Sequence, residues 1–421
     1  MEAEPAIASS VVSRDSAIGE PLQTAAPLTG MAARRLQAAL CFAAFLVSLN
    51  FFAPTPFYPQ MAHDLNTTVP LLGQVVTLMA LLSAGLGLIA GPLADRYGFR
   101  WPLVAGLLAL AVALAGTGLA PGYSVLLALG ALGGFGDALG FSLPFAIAAT
   151  LFTGDERRRT ISWTIAALSM PPIIGVPILT AIGSATSWRV ALVVAGMAAL
   201  VAAWWIAAVL PADRRQSAAH FHPRALLTAY IPLLHHPPSL RLLAVSALRG
   251  IWWIGLLTYL GAFLGTVVGF DPRQVGLAYA LTGITYAGGS VATGSRLGAF
   301  SPRRMVAASC LLGGAVVGPL LIFPGSAIFV PLLALGSLAA AVCSVGIVNT
   351  LVSESPAGAA TTMVLNGAML NGGTALGAMA GGLLIAAGGY TALGIGLPGF
   401  ALLSAILAAW PSRHEATERE A

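Results

Sequence analysis

The sequence contains no lysine and little charge of either sign: Asp, Glu, Lys and Arg together make up 8% of its 421 residues. A soluble domain carries roughly 25% charged residues, because its surface faces water. A chain this poor in charge cannot cover such a surface, which excludes an ordinary water-soluble globular protein. The missing lysine also rules out a G-x-x-x-x-G-K-S/T phosphate-binding loop, which disfavours an ATP-driven pump. Cysteine is scarce, and Cys41, Cys310 and Cys343 all lie inside apolar stretches. They read as small core residues, not as a disulfide framework or a metal site. The net charge of +5 does not describe a nucleic-acid surface, because the arginines fall between apolar runs instead of forming a patch. No Ser/His/Asp or metal-ligand constellation appears within those runs, so neither an enzyme nor a cofactor is expected.

What is abundant is apolar. Hydrophobic residues make up 57% of the chain, and 49 glycines suit helices that pack closely in lipid. A spanning helix needs about 20 mostly apolar residues. Twelve runs qualify: 36–57, 70–90, 102–120, 123–152, 161–183, 189–210, 241–265, 275–298, 305–324, 327–352, 361–387 and 391–410. Only Ala120, Pro121 and Gly122 separate the third from the fourth. The expected fold is an all-α polytopic membrane protein with the lipid bilayer as its first partner.

The arginines set the expected orientation. With the N-terminus in the cytoplasm, 17 of the 20 basic residues lie on the cytoplasmic side; Arg189 and Arg273 lie opposite, and Arg249 falls inside a span. This predicts an inner-membrane protein with both termini cytoplasmic. Residues 1–35, which include Glu2, Glu4, Asp15 and Glu20, read as a disordered cytoplasmic tail, as do residues 411–421. The longest internal loop, 211–240, divides a first six-helix half, 36–210, from a second, 241–410. Gly73, Gly91 and Arg100 recur at an offset of 203 residues as Gly276, Gly294 and Arg303, as duplicated halves would require. The loop holds His220, His222, His235 and His236 without a nearby carboxylate or Cys to complete a ligand set. It reads as a polar segment with an amphipathic helix over 223–234.

After the second run the chain reads Gly91-Pro92-Leu93-Ala94-Asp95-Arg96-Tyr97-Gly98-Phe99-Arg100. This loop resembles the signature of the major facilitator superfamily, G-x-L-a-D-r-x-G-r-K/R. Gly91, Leu93, Asp95, Arg96, Gly98 and Arg100 match it, and Phe99 departs from the usual basic residue. Further stretches extend the resemblance over nearly the whole chain. Asp155-Glu156-Arg157-Arg158 is similar to the family's E-R-R-G stretch, Gly175-Val176-Pro177 to the fifth helix of its drug:proton antiporter branch, and Leu365-Asn366 with Asn371-Gly372-Gly373 to that branch's eleventh helix. The resemblance implies twelve helices in two pseudo-symmetric six-helix halves. It also implies a cytoplasmic latch in which Asp95 docks near the start of span eleven. In the second copy of the loop Gly298 stands opposite Asp95, which predicts a weaker latch there.

Asp137 is the one carboxylate deep in a run, near the middle of 123–152 and among Gly130, Gly133, Gly134, Gly136 and Gly140. A charge at that depth costs a few kcal/mol or more, so an intramembrane acid is a candidate proton carrier. The family's fourth helix usually carries an Arg near this level, and none is present here. Arg249 in the seventh run either snorkels to the interface, binds an anionic group, or pairs with Asp137. The remaining cavity candidates are Asn50, Gln74, Tyr279, Thr282, Tyr286, Asn366 and Asn371, of which Tyr279, Thr282 and Tyr286 recur at i, i+3 and i+7. Trp252, Trp253 and Tyr259 fit either the cavity wall or the lipid face. The leading functional expectation is a monomeric secondary transporter exporting a small organic solute, drug-like or sugar-like, against proton influx. A proton-independent facilitator or an uptake permease for a sugar- or nucleoside-like solute is the alternative within transport. A membrane receptor or scaffold is the alternative outside it.

Overall fold

The computed structural model describes residues 30–211, 223–295, 301–324, 328–356 and 358–410. His220, His222, Gly298 and most of both expected tails lie outside the described residues. Every regular element among those described is helical. Long apolar stretches take this form because a helix satisfies its own backbone donors and acceptors where lipid supplies none.

Span one runs Gly30–Asp64, span two Val69–Gly87, span three Arg100–Leu119 and span four Tyr123–Leu151. Span five is the bent pair Gly154–Ser169 and Pro171–Ala185, and span six is Trp188–Val209. Span seven is Pro237–Val268, span eight Pro272–Ser295, span nine Pro302–Ile322 and span ten Phe329–Glu354. The long helix Ala359–Ala409 contains the last two. It turns at Gly388 and Gly389, and Gly389 takes the positive φ of 67° that only glycine adopts freely. Nine stretches among the described residues are long and apolar enough to cross a bilayer, ten with the bent pair as one. The turn within the last of them and the additional helix Pro272–Ser295 make the arrangement consistent with twelve.

Local chemistry sets several boundaries. The Thr68 and Ser187 hydroxyls accept from the amides of Leu71 and Val190, capping spans two and six. Pro237 and Pro238 start span seven four residues before the apolar run at 241, in the first turn, where a missing N–H costs nothing. A short helix, Pro223–Leu234, occupies the segment read as amphipathic. In span five, Pro171 and Pro172 remove two donors, and the helix answers with a π-helical turn, Pro171–Gly175, and a bend of 43°. Span seven holds two further π-helical turns, Gly250–Ile254 and Leu264–Val268.

Spans one to six pack around Leu36, Leu40, Leu103, Leu143 and Leu192. The second half packs around Trp252, Tyr259, Phe263, Tyr279 and Leu397. Large apolar side chains such as Leu119, Trp204, Val291 and Ile395 are exposed, as a lipid-facing surface requires. At the arginine-poor end the halves touch. A Cβ on Gly261 would lie 2.5 Å from the Thr55 carbonyl oxygen, and Arg273 Nε donates to Ser184 Oγ at 3.0 Å. Toward the arginine-rich end, Gly85, Gly288 and Gly367 of spans two, eight and eleven face open space.

Candidate functional site

Between the halves lies a cavity of about 320 Å³. Span four brings Asp137 to it. The glycines around Asp137 let spans one and three approach: a Cβ on Gly133 would lie 3.1 Å from Asn50 Nδ2, and one on Gly136 2.8 Å from the Gly106 carbonyl oxygen. That close approach places the Asn50 amide over the carboxyl. Asn50 Nδ2 donates to Asp137 Oδ1 at 3.2 Å and Oδ2 at 3.3 Å, and also lies 3.3 Å from Met79 Sδ.

Arg249 faces the same cavity from span seven. It closes the helical segment Pro237–Arg249, immediately before the π-helical turn. Gly250 packs against span eleven, where a Cβ would lie 2.6 Å from the Leu370 carbonyl oxygen, so the backbone beside Arg249 is held deep in the bundle. Arg249 is 5% exposed and its Nε is buried without a hydrogen-bond partner. Among the described residues it forms no ion pair, and Asp137 forms none. Arg249 therefore reaches the cavity and not the interface.

Thr282, Tyr286 and Asn371 also line the cavity, so five of the sequence candidates meet there. Asn50 acts on it through Asp137. Asn371 Nδ2 donates to Ser83 Oγ at 3.2 Å, joining spans eleven and two across the halves. Three candidates fall outside the wall. Tyr279 is fully buried and its hydroxyl donates to the Leu257 carbonyl at 2.8 Å. Gln74 points toward Gly382, whose added Cβ would lie 2.9 Å from Gln74 Nε2. Asn366 has its Oδ1 buried without a partner and away from the cavity lining. The aromatic wall comes from Phe51, Phe52, Phe141 and Trp253. Of the three aromatics that fit either wall or lipid, Trp253 lines the cavity, and all three are buried in the second core. The small hydroxyls Ser83, Ser169, Ser337 and Thr374 carry no spacing signal, and only the packing of distant spans reveals them.

The signature segment, read as a loop, is itself a short helix, Ala90–Tyr97. It stops at Gly98, which takes a φ of 77°. Leu93 packs against the first core, and Arg96 is exposed, its guanidinium 5.3 Å from the Tyr97 ring centroid. Arg100 donates to the carbonyl of Ala207 on span six. Gly91 is part of the helix, and the side chain of Asp95 lies outside what is described. At the corresponding place in the second half, Arg303 makes a two-pronged ion pair with Glu354, with Nη2–Oε2 at 2.5 Å and Nε–Oε1 at 3.3 Å. His235 and His236 lie by the Ile231 carbonyl and Ser239 Oγ, at 3.0 and 2.9 Å. Cys310 and Cys343 are buried neighbours with sulfurs 3.4 Å apart.

Residues 40–365 match the family model described as Major Facilitator Superfamily. Two relatives are each 26% identical: the Transcription regulatory protein OpdE of Pseudomonas aeruginosa, over 90% of this chain and 94% of its own length, and a Chloramphenicol resistance protein of Streptomyces lividans, over 84% and 90%. Among solved structures, the bacterial homolog of the human lysosomal transporter Spinster, inward-facing and unoccupied, aligns with a TM-score of 0.71 at 16% identity, covering 90% of this chain and 95% of that one. The nucleoside transporter NupG, in a mutant form, aligns with a TM-score of 0.73 at 14% identity, covering 90% and 98%.

Proposed function

Since the chain belongs to the Major Facilitator Superfamily and is a multi-pass membrane protein with a transporter fold, we propose that it exports a small organic solute across the inner membrane in exchange for protons. The observation that carries this reading is Asp137 on the cavity wall, oriented by Asn50 of another span and lacking a fixed cationic partner among the described residues. A carboxyl that nothing locks into its ionised form is free to take up a proton when water reaches it and to release it when access changes sides.

Alternating access then amounts to rocking of the two halves about the cavity. With the arginine-rich end cytoplasmic, the contacts Gly261–Thr55 and Arg273–Ser184 close the outer face, and the open glycines of spans two, eight and eleven lie toward the cytoplasm. Asp95, in the short helix that follows span two, is the proposed latch that secures the cytoplasmic face in the opposite state by docking near the start of span eleven. The chloramphenicol-resistance relative supports a drug-like solute. The protein acts as a monomer in this account, with a solute and protons as its only ligands.

Two experiments test the reading. Protein reconstituted into liposomes with a trapped pH-sensitive dye is challenged with chloramphenicol, uridine, lactose and 1-naphthoate. Solute-dependent proton movement with at least one of them is expected; solute flux without proton movement would make the protein a facilitator. Asp95→Asn, at matched expression, should insert normally and transport more slowly. An unchanged rate would remove the latch.

A further inference from the structure

We infer that Arg249 docks an anionic group of the transported solute, so that the substrate class is an amphipathic organic anion; this rests on the cavity being the solute path. A charge removed from water and left unpaired costs several kcal/mol, and proteins normally pair it, neutralise it or dispense with it. Arg249 is 95% covered, yet it has neither a hydrogen bond nor an ion pair among the described residues. Arginine cannot escape by losing its proton, because its guanidinium stays charged. The donors therefore await a partner that the protein itself does not provide.

The surroundings supply no candidate within the chain. Among the described residues of spans seven to twelve the one acid is Glu354, at the end of span ten, and it is engaged by Arg303. The ionisable groups near Arg249 on spans nine and ten are the thiols Cys310 and Cys343. Asp137 belongs to the opposite half, is held by Asn50 and makes no ion pair. The backbone beside Arg249 points the same way. The π-helical turn Gly250–Ile254 begins at the next residue, and such turns are concentrated at functional sites. It brings Trp253 onto the cavity wall beside the arginine, opposite Phe51 and Phe52 of span one. A carboxylate, sulfonate or phosphate takes the fork of an arginine in bidentate fashion, and the aromatic wall then accommodates an apolar body.

Equilibrium dialysis of the purified protein in detergent against 1-naphthoate and its uncharged amide, 1-naphthamide, tests this. A charge-assisted hydrogen bond gained only by the acid should make saturable binding of naphthoate about ten-fold tighter than that of the amide. Arg249→Gln should erase the ratio, and Arg249→Lys should restore part of it. No saturable naphthoate binding in the parent, no preference for the acid, or a preference that survives Arg249→Gln would each overturn the inference. The two readings fail separately. Proton-coupled flux without an anion preference sinks only this inference. An Arg249-dependent preference in a protein that moves no solute sinks only the transport reading.

Discussion

In the first half, Asp137 meets the cavity from span four with an amide from span one hydrogen-bonded to both of its oxygens. In the second half, Arg249 meets the same cavity from span seven with no partner among the described residues. The local packing explains the contrast. Around Asp137, glycines draw a polar neighbour within reach. Beside Arg249, glycines draw in the backbone of span eleven, which approaches Gly250 but leaves Arg249 unpaired. The two halves thus present an oriented acid and an open cation to one cavity. The first arrangement suits a group that exchanges a proton in place, and the second suits one that receives a ligand from outside.

The contrast is most exposed to a stability measurement. Arg249→Met removes an uncompensated buried charge and should raise unfolding stability in detergent by about 1–3 kcal/mol. Asp137→Leu strands the Asn50 amide and should lower it by about 1–3 kcal/mol. Thermal unfolding of the two variants should therefore move in opposite directions; shifts of the same sign would mean that the two groups are held alike. A smaller effect is expected from Asn50→Leu, which deletes the donor and keeps the acid. It should cost about 1 kcal/mol, the usual net worth of such a hydrogen bond, while proton-coupled transport slows and solute binding persists. Unchanged coupling in that variant would show that the amide is mere packing.

The smallest effect belongs to the arginine-rich ends of the two halves, where Arg100 and Arg303 occupy corresponding places in the sequence. Arg303 pairs with the partly exposed Glu354, and Arg100 with a backbone carbonyl. Arg303→Ala should cost about 0.5–1 kcal/mol at low salt. Most of that loss should disappear near 1 M salt, where charges are screened within ~3 Å. A loss in Arg303→Ala that does not change with salt would contradict the ion pair with Glu354.

The scaffold was legible because it rests on signals that tertiary context does not overturn. The gap between the runs 361–387 and 391–410 falls on Gly388 and Gly389, and the segment 223–234 is the helix Pro223–Leu234. Asp137 could be picked out because a mid-span acid is expensive wherever it points. The faces of the cavity were harder to read. Assigning them from the sequence assumes 3.6 residues per turn, and the π-helical turns in spans five and seven insert an extra residue that rotates everything beyond them. Arg249 immediately precedes such a turn and Trp253 lies within it, so straight-helix periodicity could not choose their direction. Tyr279 and Tyr286 share a helical face, yet only Tyr286 reaches the cavity, because Tyr279 is buried in the second core and its hydroxyl goes to the carbonyl of Leu257. The cross-half pair Asn371–Ser83 links residues 288 positions apart and leaves no trace in local pattern.

The central claim is that the acid of the first half carries the proton, and one comparison tests it most directly. Asp137→Asn keeps the shape of the protonated carboxyl but cannot exchange its proton. In liposomes loaded with a solute that the parent moves, the variant should retain downhill solute exchange and lose accumulation driven by an imposed pH gradient. Gradient-driven accumulation that persists in Asp137→Asn would contradict the account.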